Sequence, residues 1–489
     1  MKRLALALLL CACGHKTPPG PTTTLEITVT DRGAPIAARV LLFAKDQPVH
    51  LGTIDLYGQR QGATACEYAP GVIGTWDGVV LAFGKGSVPV GADGACSPPY
   101  GRYTVWAWHG FDHEIWKGEV DLSADRGKVA LAIPLVRAWT QPASVLAADL
   151  HVHAHASNDS NMPDTQRVAA QVAAGIQVIG LANHNQSGDA SAAIHQLGLD
   201  GTVWSIPSNE ITSELMHAGI YPAGPSAPPA DQIVHADPKA LLEVLRALPE
   251  HPIIQINHPR FHYQSLFDTM HWDGKAWPPP FPLDFDAVEV VAGYSAANVP
   301  GDRRLDDTLR DLYTFYEHGF PVAATGGSDT HDFNWVLDGT ARTYVTLDTP
   351  GYAQDAFVAA IRARHTMASS GPWLAASVGP VDHGKAKLTI DSAAASWMRV
   401  TRIRVQVGRD EQVLPWQPHT ELDIAIPEDT FVGVAVDGDD PLPLPLTGTY
   451  QHDKWKRPGV TPFAVISPIL VDADGDHRWK RGEADLALP

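Results

Sequence analysis

The sequence predicts an α/β core held between two β-rich flanks, and three observations point there. From Ala147 to about residue 375, short apolar strand-like runs alternate with helix-like runs. That alternation is the mark of a parallel sheet, open or closed into a barrel. On either side the chain instead alternates apolar and polar residues in short runs broken by Gly, Pro and Asp, with no helical period. Within the core, His and acidic residues recur just past the ends of apolar runs, the place where α/β barrels carry their chemistry.

Composition sets the frame. A chain of 489 residues, 44% hydrophobic and 19% charged, is a folded protein long enough for several cores. A net charge of −19 argues against a nucleic-acid partner. It leaves room for an anionic substrate, because bound cations reverse the local field.

Lys2 and Arg3 precede the apolar run 4–10, and Leu10-Cys11-Ala12-Cys13 resembles a bacterial lipobox. Residues 1–12 therefore read as a lipoprotein signal peptide, Cys13 as the lipidated first residue, and 13–24 as a Pro/Thr-rich tether. The apolar run is too short to span a bilayer. The expectation is an exported bacterial lipoprotein tied to the membrane by its anchor, with Gly14 favouring the outer membrane. Cys66 and Cys96 remain after processing, and an exported compartment favours a disulfide between them; two separate reduced thiols are the alternative.

Residues 25–138 carry alternating runs at 25–29, 38–42, 103–108 and 128–133, a β-sandwich signature. Within them, Pro99-Tyr100-Gly101-Arg102-Tyr103-Thr104-Val105 resembles carboxypeptidase-regulatory-like or transthyretin-like domains, which scaffold or recognise. In the core, 145–375, strands are expected at 147–152, 177–182, 253–257, 287–291 and 321–325. Helices are expected from Asp164 to a stop at Gly175, from Asp237-Pro238 to Leu248, and from Leu305 to a stop at Gly319. The flank 376–489 returns to β character, with strands expected at 400–407 and 430–436. There Asp472, Asp474 and Asp476 resemble a calcium loop that lacks its closing Glu, with an acidic turn as the alternative.

His151, His184, Glu210, His258 and Asp329 all fall at or just past the end of an apolar run. Residues i and i+2 of a strand share a face, so His151 and His153 converge, and Asp329 and His331 repeat that spacing. Imidazole with a carboxylate holds divalent transition metals. Chance is the competing account of one H-x-H among 22 His, but not of the whole series.

These residues lie in five motifs that resemble the PHP (polymerase and histidinol phosphatase) superfamily of metallohydrolases. They are Asp149-Leu150-His151-Val152-His153, Gly180-Leu181-Ala182-Asn183-His184-Asn185, Asn209-Glu210-Ile211-Thr212 with His217, Asn257-His258-Pro259-Arg260, and Gly327-Ser328-Asp329-Thr330-His331. Ala360-Ile361-Arg362-Ala363-Arg364-His365, leading to Ser370-Gly371-Pro372, resembles the carbaryl-hydrolase-like branch. The resemblance implies a distorted (β/α)7-type barrel and two to three divalent ions, zinc, manganese or iron. His151, His153, Glu210 and Asp329 would hold one ion. Glu210 would bridge to a second, held by His217 and His258. Asp159, His184 and His331 would supply a third position. Two departures bear on that third position: Asp159 stands where several relatives have His, and Asn183 where they usually have Asp beside His184.

The implied activity is hydrolysis of a small-molecule phosphoester, or of a carboxylic or carbamic aryl ester, by a hydroxide bridging two metals, with Glu210 and Asp329 central to it. Arg260 would clamp an oxyanion or phosphate, with a surface salt bridge as the alternative. His262, Tyr263, His271, Trp272 and Trp277 lie in a loop, 261–286, whose aromatics would suit a flat organic group or would pack the loop onto a flanking β part. The competing function is a surface-exposed lipoprotein whose retained metal site serves ligand binding or structure.

Overall fold

The computed structural model describes residues 23–44, 66–75, 78–91, 97–123, 126–224, 233, 235–261, 264–293, 303–333, 337–443, 446 and 460–488. The signal peptide, Cys13, most of the tether, Cys96, His262 and Tyr263 lie outside the described residues. Cys66 is disulfide-bonded.

The N-terminal flank is two sheets around one core. Thr23–Asp31 buries alternate residues, and Leu25, Ile27 and Val29 meet Val40, Val105 and Ile133. It pairs in parallel with Lys128–Leu135 and antiparallel with Lys85–Val90. The second sheet has six strands, with Ala38–Ala44 between Gly78–Leu81 and Gly101–Trp108.

Ten strands form the core: β1 (Val145–Val152), β2 (Val178–Leu181), β3 (Trp204–Ser205), β4 (Asn209–Thr212), β5 (His217–Tyr221), β6 (Ile253–Ile256), β7 (Ala287–Ala292), β8 (Ala323–Gly327), β9 (Arg342–Thr346) and β10 (Thr366–Ser369). Six helices accompany them among the described residues: α1 (Asp164–Ala173), α2 (Ser191–Leu197), α3 (Pro238–Arg246), α4 (Leu266–Thr269), α5 (Arg304–Glu317) and α6 (Gln354–Arg362). Their ends follow local chemistry. Gly175 and Gly319 take positive φ just beyond α1 and α5. The Asp237 carboxylate accepts the Lys239 and Ala240 N–H groups at the start of α3, with Pro238 at its first position.

The expected (β/α)7 barrel is not what the core forms. The strands divide between two open sheets, ordered β4-β5-β6-β7-β8 and β3-β2-β1-β9-β10. The physical reason is the connections. A parallel barrel needs a crossover, usually a helix, between successive strands. Here β4 and β5 are joined by a short turn and pair antiparallel, β5 and β6 pair antiparallel, and β9 pairs antiparallel with both β1 and β10. Only β1 with β2, β2 with β3, β6 with β7 and β7 with β8 are parallel. The second sheet then continues through β10 into Phe463–Ile466, Thr430–Asp437, Arg402–Val407 and Asp410–Pro415 of the C-terminal flank, and with Ile469–Val471 paired to Thr430–Asp437 it has ten strands in all.

The two core sheets touch at one end through isolated bridges, Val152 with Thr330 and His184 with Glu210. That contact is tight. A Cβ on Gly327 would stand 2.5 Å from His151 Cβ and 2.6 Å from Glu289 Oε1, so only glycine lets β8 approach β1 this closely.

Candidate metal centre

Where the sheets meet, their strand ends bring the expected residues together. His151 lies in β1 and His153 just past it; His184 follows β2, Glu210 sits in β4, His258 follows β6, and Asp329 and His331 follow β8. His217 is at the start of β5, yet reaches the same place because β5 runs antiparallel to β4 and pairs Thr212 with His217. Backbone hydrogen bonds fix the register: Asp329 N–H donates to His151 O at 2.7 Å, and His153 N–H to Thr330 O at 3.0 Å. Asp329 and His258 hold positive φ, 51° and 26°, a strained backbone of the kind that collects at functional sites.

Glu210 is the hub. Its carboxylate is fully buried, with Oε1 2.9 Å from His151 Nε2, 3.1 Å from His217 Nδ1 and 3.3 Å from His258 Nε2, and Oε2 2.8 Å from His184 Nδ1. Asp329 Oδ1 faces it across the rim, 3.1 Å from His151 Nε2 and 3.0 Å from His153 Nε2. Asp159 Oδ2 stands 3.1 Å from both His184 Nε2 and His331 Nε2. His331 stacks on His153 with centroids 3.9 Å apart.

Four overlapping groups have ligand atoms within 4.8 Å of one another: His151, His153 and Glu210; His151, His258 and Asp329; His184, Glu210 and His217; and His153, Asp159, His184 and His331. These buried clusters could hold metal ions. Sequence reasoning had placed His258 with His217, and His184 only in the third position; the geometry also sets His258 beside Asp329, and His184 beside Glu210.

The fit to cations shows in what the side chains leave unsatisfied. His153 Nε2, Glu210 Oε2, His217 Nε2 and His258 Nδ1 are buried and make no hydrogen bond. Such groups are costly unless something electrophilic meets them. The charges agree. Burial pushes the Glu210 carboxyl up, but the rings of His151, His217 and His184 hold it well below the carboxylate range. Burial likewise opposes ionisation of Asp329, and His151 above all keeps it well below its usual value. His153 is pulled down to about 3 by burial and by the His331 and His184 rings. Against burial, Glu210 and Asp159 push His184 up to about 10, and Asp329, Glu210 and Glu289 raise His151.

Three residues support the site in roles the sequence reading did not assign. Glu289, in the middle of β7, accepts from His151 Nδ1 at 3.0 Å and from the His258 N–H at 2.7 Å. A carboxylate that can only accept fixes the proton on Nδ1 and aims Nε2 at the rim. Asn257 donates to Glu210 Oε1 at 2.9 Å and is itself held by Gln255. Thr212 Oγ1 lies 2.6 Å from His184 Nδ1. Glu289 had a readable signal, a single acid inside the otherwise apolar run Ala287-Val288-Glu289-Val290-Val291-Ala292.

Three expectations need correction. Arg260 does not reach the rim: its Nε and Nη2 donate to both oxygens of Asp311 at 2.7 and 3.0 Å, and its Nη1 to Asp268 and to Trp272 O. A guanidinium so engaged clamps the loop, not a substrate. Asn183, expected to bear on the third position, instead has its Oδ1 accept the Ala154 N–H at 2.9 Å and ties the β2 end to the β1 end. Two of the loop aromatics pack inward on α5 and its end, Trp272 stacked on Phe315 at 5.2 Å and Trp277 on His318 at 4.4 Å. His271 holds a positive φ in the same loop.

The C-terminal acidic loop behaves as a turn. Asp472 accepts the N–H groups of Asp474, Gly475 and His477, Asp474 accepts that of Asp476, and Asp476 pairs with Lys480. Among the described residues no helix is long and apolar enough to cross a membrane. Neither a family model nor a curated protein matches the chain.

Proposed function

We propose that the chain is a metal-dependent hydrolase of the PHP class, acting on a small phosphoester or a carboxylic or carbamic ester. The observation that carries this reading is Glu210, a fully buried carboxylate within 3.3 Å of four imidazoles from four chain segments, with Asp329 opposite. A structural zinc site closes a single tetrahedron. A shared carboxylate with ligand groups on both of its oxygens instead suits neighbouring ions, as hydrolytic centres use. The mixed nitrogen and oxygen donors suit zinc, manganese or iron, two or three ions in number. Divalent ions there would lower the pKa of water toward neutrality and polarise an ester oxygen.

The chain's own groups supply the rest. Glu210 and Asp329 remain ionised and gather the ligands. Glu289 and Asn257 hold His151 and Glu210 in one orientation. Asp159, partly exposed, is held ionised against its partial burial by the His331 and His184 rings and would hold a third ion together with them. With Arg260 engaged elsewhere, charge on the substrate oxygen would be met by the ions and the rim imidazoles. The lipobox resemblance adds that the enzyme is exported and anchored by Cys13.

The test is metal content and turnover of nitrophenyl phosphate and nitrophenyl esters by wild type and by Glu210→Ala. Glu210→Ala should lose bound metal and at least about a hundredfold in rate, the scale of removing a key electrostatic group. Metal-free wild type without turnover removes the enzyme reading and leaves a retained structural or ligand-binding site. Turnover that survives Glu210→Ala removes the shared-carboxylate mechanism.

A further inference from the structure

A second set of metal-ligating side chains lies in the segment that joins the N-terminal sandwich to the core. His109, Asp112 and His113 fall within five residues, and one ligand atom of each lies within 4.8 Å of the others. The rings of His109 and His113 meet edge to face with centroids 5.2 Å apart. None of the three belongs to the rim.

Each imidazole is set up as metal-bound histidines are. His109 Nδ1 donates to Ala37 O at 2.7 Å, and His113 Nδ1 donates to Asp112 Oδ1 at 2.8 Å. A neutral ring that donates through Nδ1 presents the bare lone pair of Nε2, the arrangement carboxylates and carbonyls impose on zinc-bound imidazole. The His113 side chain is completely buried, and its Nε2 makes no hydrogen bond; it faces Asp31 Oδ2 at 3.5 Å. Asp31 Oδ1 also makes none.

Among the described residues Arg137 is the cation in contact, and it does not saturate the cluster. It takes Oδ2 of Asp112 at 2.5 Å and Oδ2 of Asp31 at 2.8 Å. Two carboxylates against one guanidinium leave a negative charge uncompensated in a largely enclosed place. A buried, unbalanced charge is costly unless a further cation shares it.

We propose that His109, Asp112 and His113, with Asp31 beside them, form a structural divalent-cation site, best suited to zinc, that fastens the sandwich to the core. Two imidazoles and a carboxylate are borderline donors that favour zinc over calcium or magnesium. The site stands at a junction. Asp112 O accepts the Ala138 N–H at 2.8 Å on the way into β1, and His113 O accepts Trp397 Nε1 at 2.9 Å from the C-terminal flank. A bound ion would therefore tie the approach to β1 and stabilise the whole chain by mass action, whatever reaction the rim performs.

The experiment uses the full chain carrying Glu210→Ala and Asp329→Ala, which removes the rim ligands. The protein is stripped with chelator, given zinc alone, and read by metal analysis after gel filtration and by thermal melting. We expect one equivalent of zinc and a raised Tm, both lost on adding His113→Gln. Cobalt in the same protein should show tetrahedral visible bands that vanish with His109→Gln. A folded rim-deleted protein that takes up no zinc overturns the proposal, as does zinc retained after His113→Gln. Should rim deletion prevent folding, His113→Gln in the otherwise natural chain decides: a metal count lowered by one with unchanged rim turnover supports the site, and an unchanged count overturns it. The readout is metal count, so its failure is separable from failure of the hydrolase reading.

Discussion

Glu289 is buried, and among the described residues its carboxylate is held by His151 Nδ1–H and the His258 N–H. Both donors are on expected ligands, so Glu289 aims the site without touching its mouth. Glu289→Gln can still accept one bond but loses one of the three carboxylates, after Asp329 and Glu210, that raise His151 against its burial. We expect zinc affinity to fall by about 10–100-fold, the usual effect of losing an outer partner of a ligating His, with little change in fold. Competition titration against a chromophoric chelator measures it, and unchanged affinity would refute the role. The same titration gives the pH dependence. His184, pushed up to about 10, carries a proton near neutrality in the metal-free protein, and His151 and His331 are also raised despite burial. An entering ion must displace protons held there, so affinity rises with pH and keeps rising until the raised pKa values are passed. For each proton released the gain is about tenfold per pH unit. Affinity that is flat from about pH 6 to about pH 8 would count against this charge pattern.

At the scale of elements, the site was legible because its motifs sit at strand ends, and strand ends are marked by where apolar runs stop. Glu210 and His217 could be read as site residues, but not that they face each other across a hairpin, since a turn as short as Ser213 to Met216 reverses the chain without a helix. Barrel closure failed for the same reason. Apolar runs reveal that strands exist, whereas their pairing direction depends on connections and on partners far along the chain. Arg260 failed differently. Its position beside His258 suggested the mouth, but Asp311 on α5, remote in sequence, captures it. That buried pair makes a prediction for α5 and its loop. Asp311→Ala leaves the guanidinium without its two-point partner and should cost about 3–5 kcal/mol of stability, as breaking buried pairs does. Metal content should hold wherever the variant stays folded. Denaturant unfolding with parallel metal analysis checks both, and loss of metal from a folded variant would restore Arg260 to the site.

Across the whole molecule, the sandwich reaches into the rim, and nothing in the sequence pattern announced it. Ala38–Ala44 alternates as an ordinary strand, yet Arg39 on it is buried against the core. Its Nη1 donates to Phe333 O at 2.9 Å, its Nη2 stands 3.6 Å from Asp338, and its guanidinium lies over the Phe333 ring. Asp338 in turn accepts from Arg167 at 2.8 Å and from Gln171 at 3.0 Å. Arg167 donates to His153 O, and Gln171 to Asp149, whose carboxylate also accepts the N–H and hydroxyl of Ser328. Ser328 immediately precedes Asp329 in the chain, and His153 is itself one of the first H-x-H pair. A buried ion pair, Arg39 with Asp338, thus joins the sandwich to a set of buried hydrogen bonds that leads to the rim, and such networks act as units. Arg39→Met keeps the apolar stem over Phe333 and removes the charge, so the core should stay packed while Phe333 O and Asp338 lose a partner. We expect metal affinity to fall about tenfold, the low end for an outer partner. Arg404→Met is the control, because Arg404 pairs with Asp306 in the first turn of α5 and with Glu411, neither of which belongs to this network. If both variants lose stability but only Arg39→Met loses affinity, the sandwich braces the metal centre. If the two affinities match, the sandwich is only a neighbour.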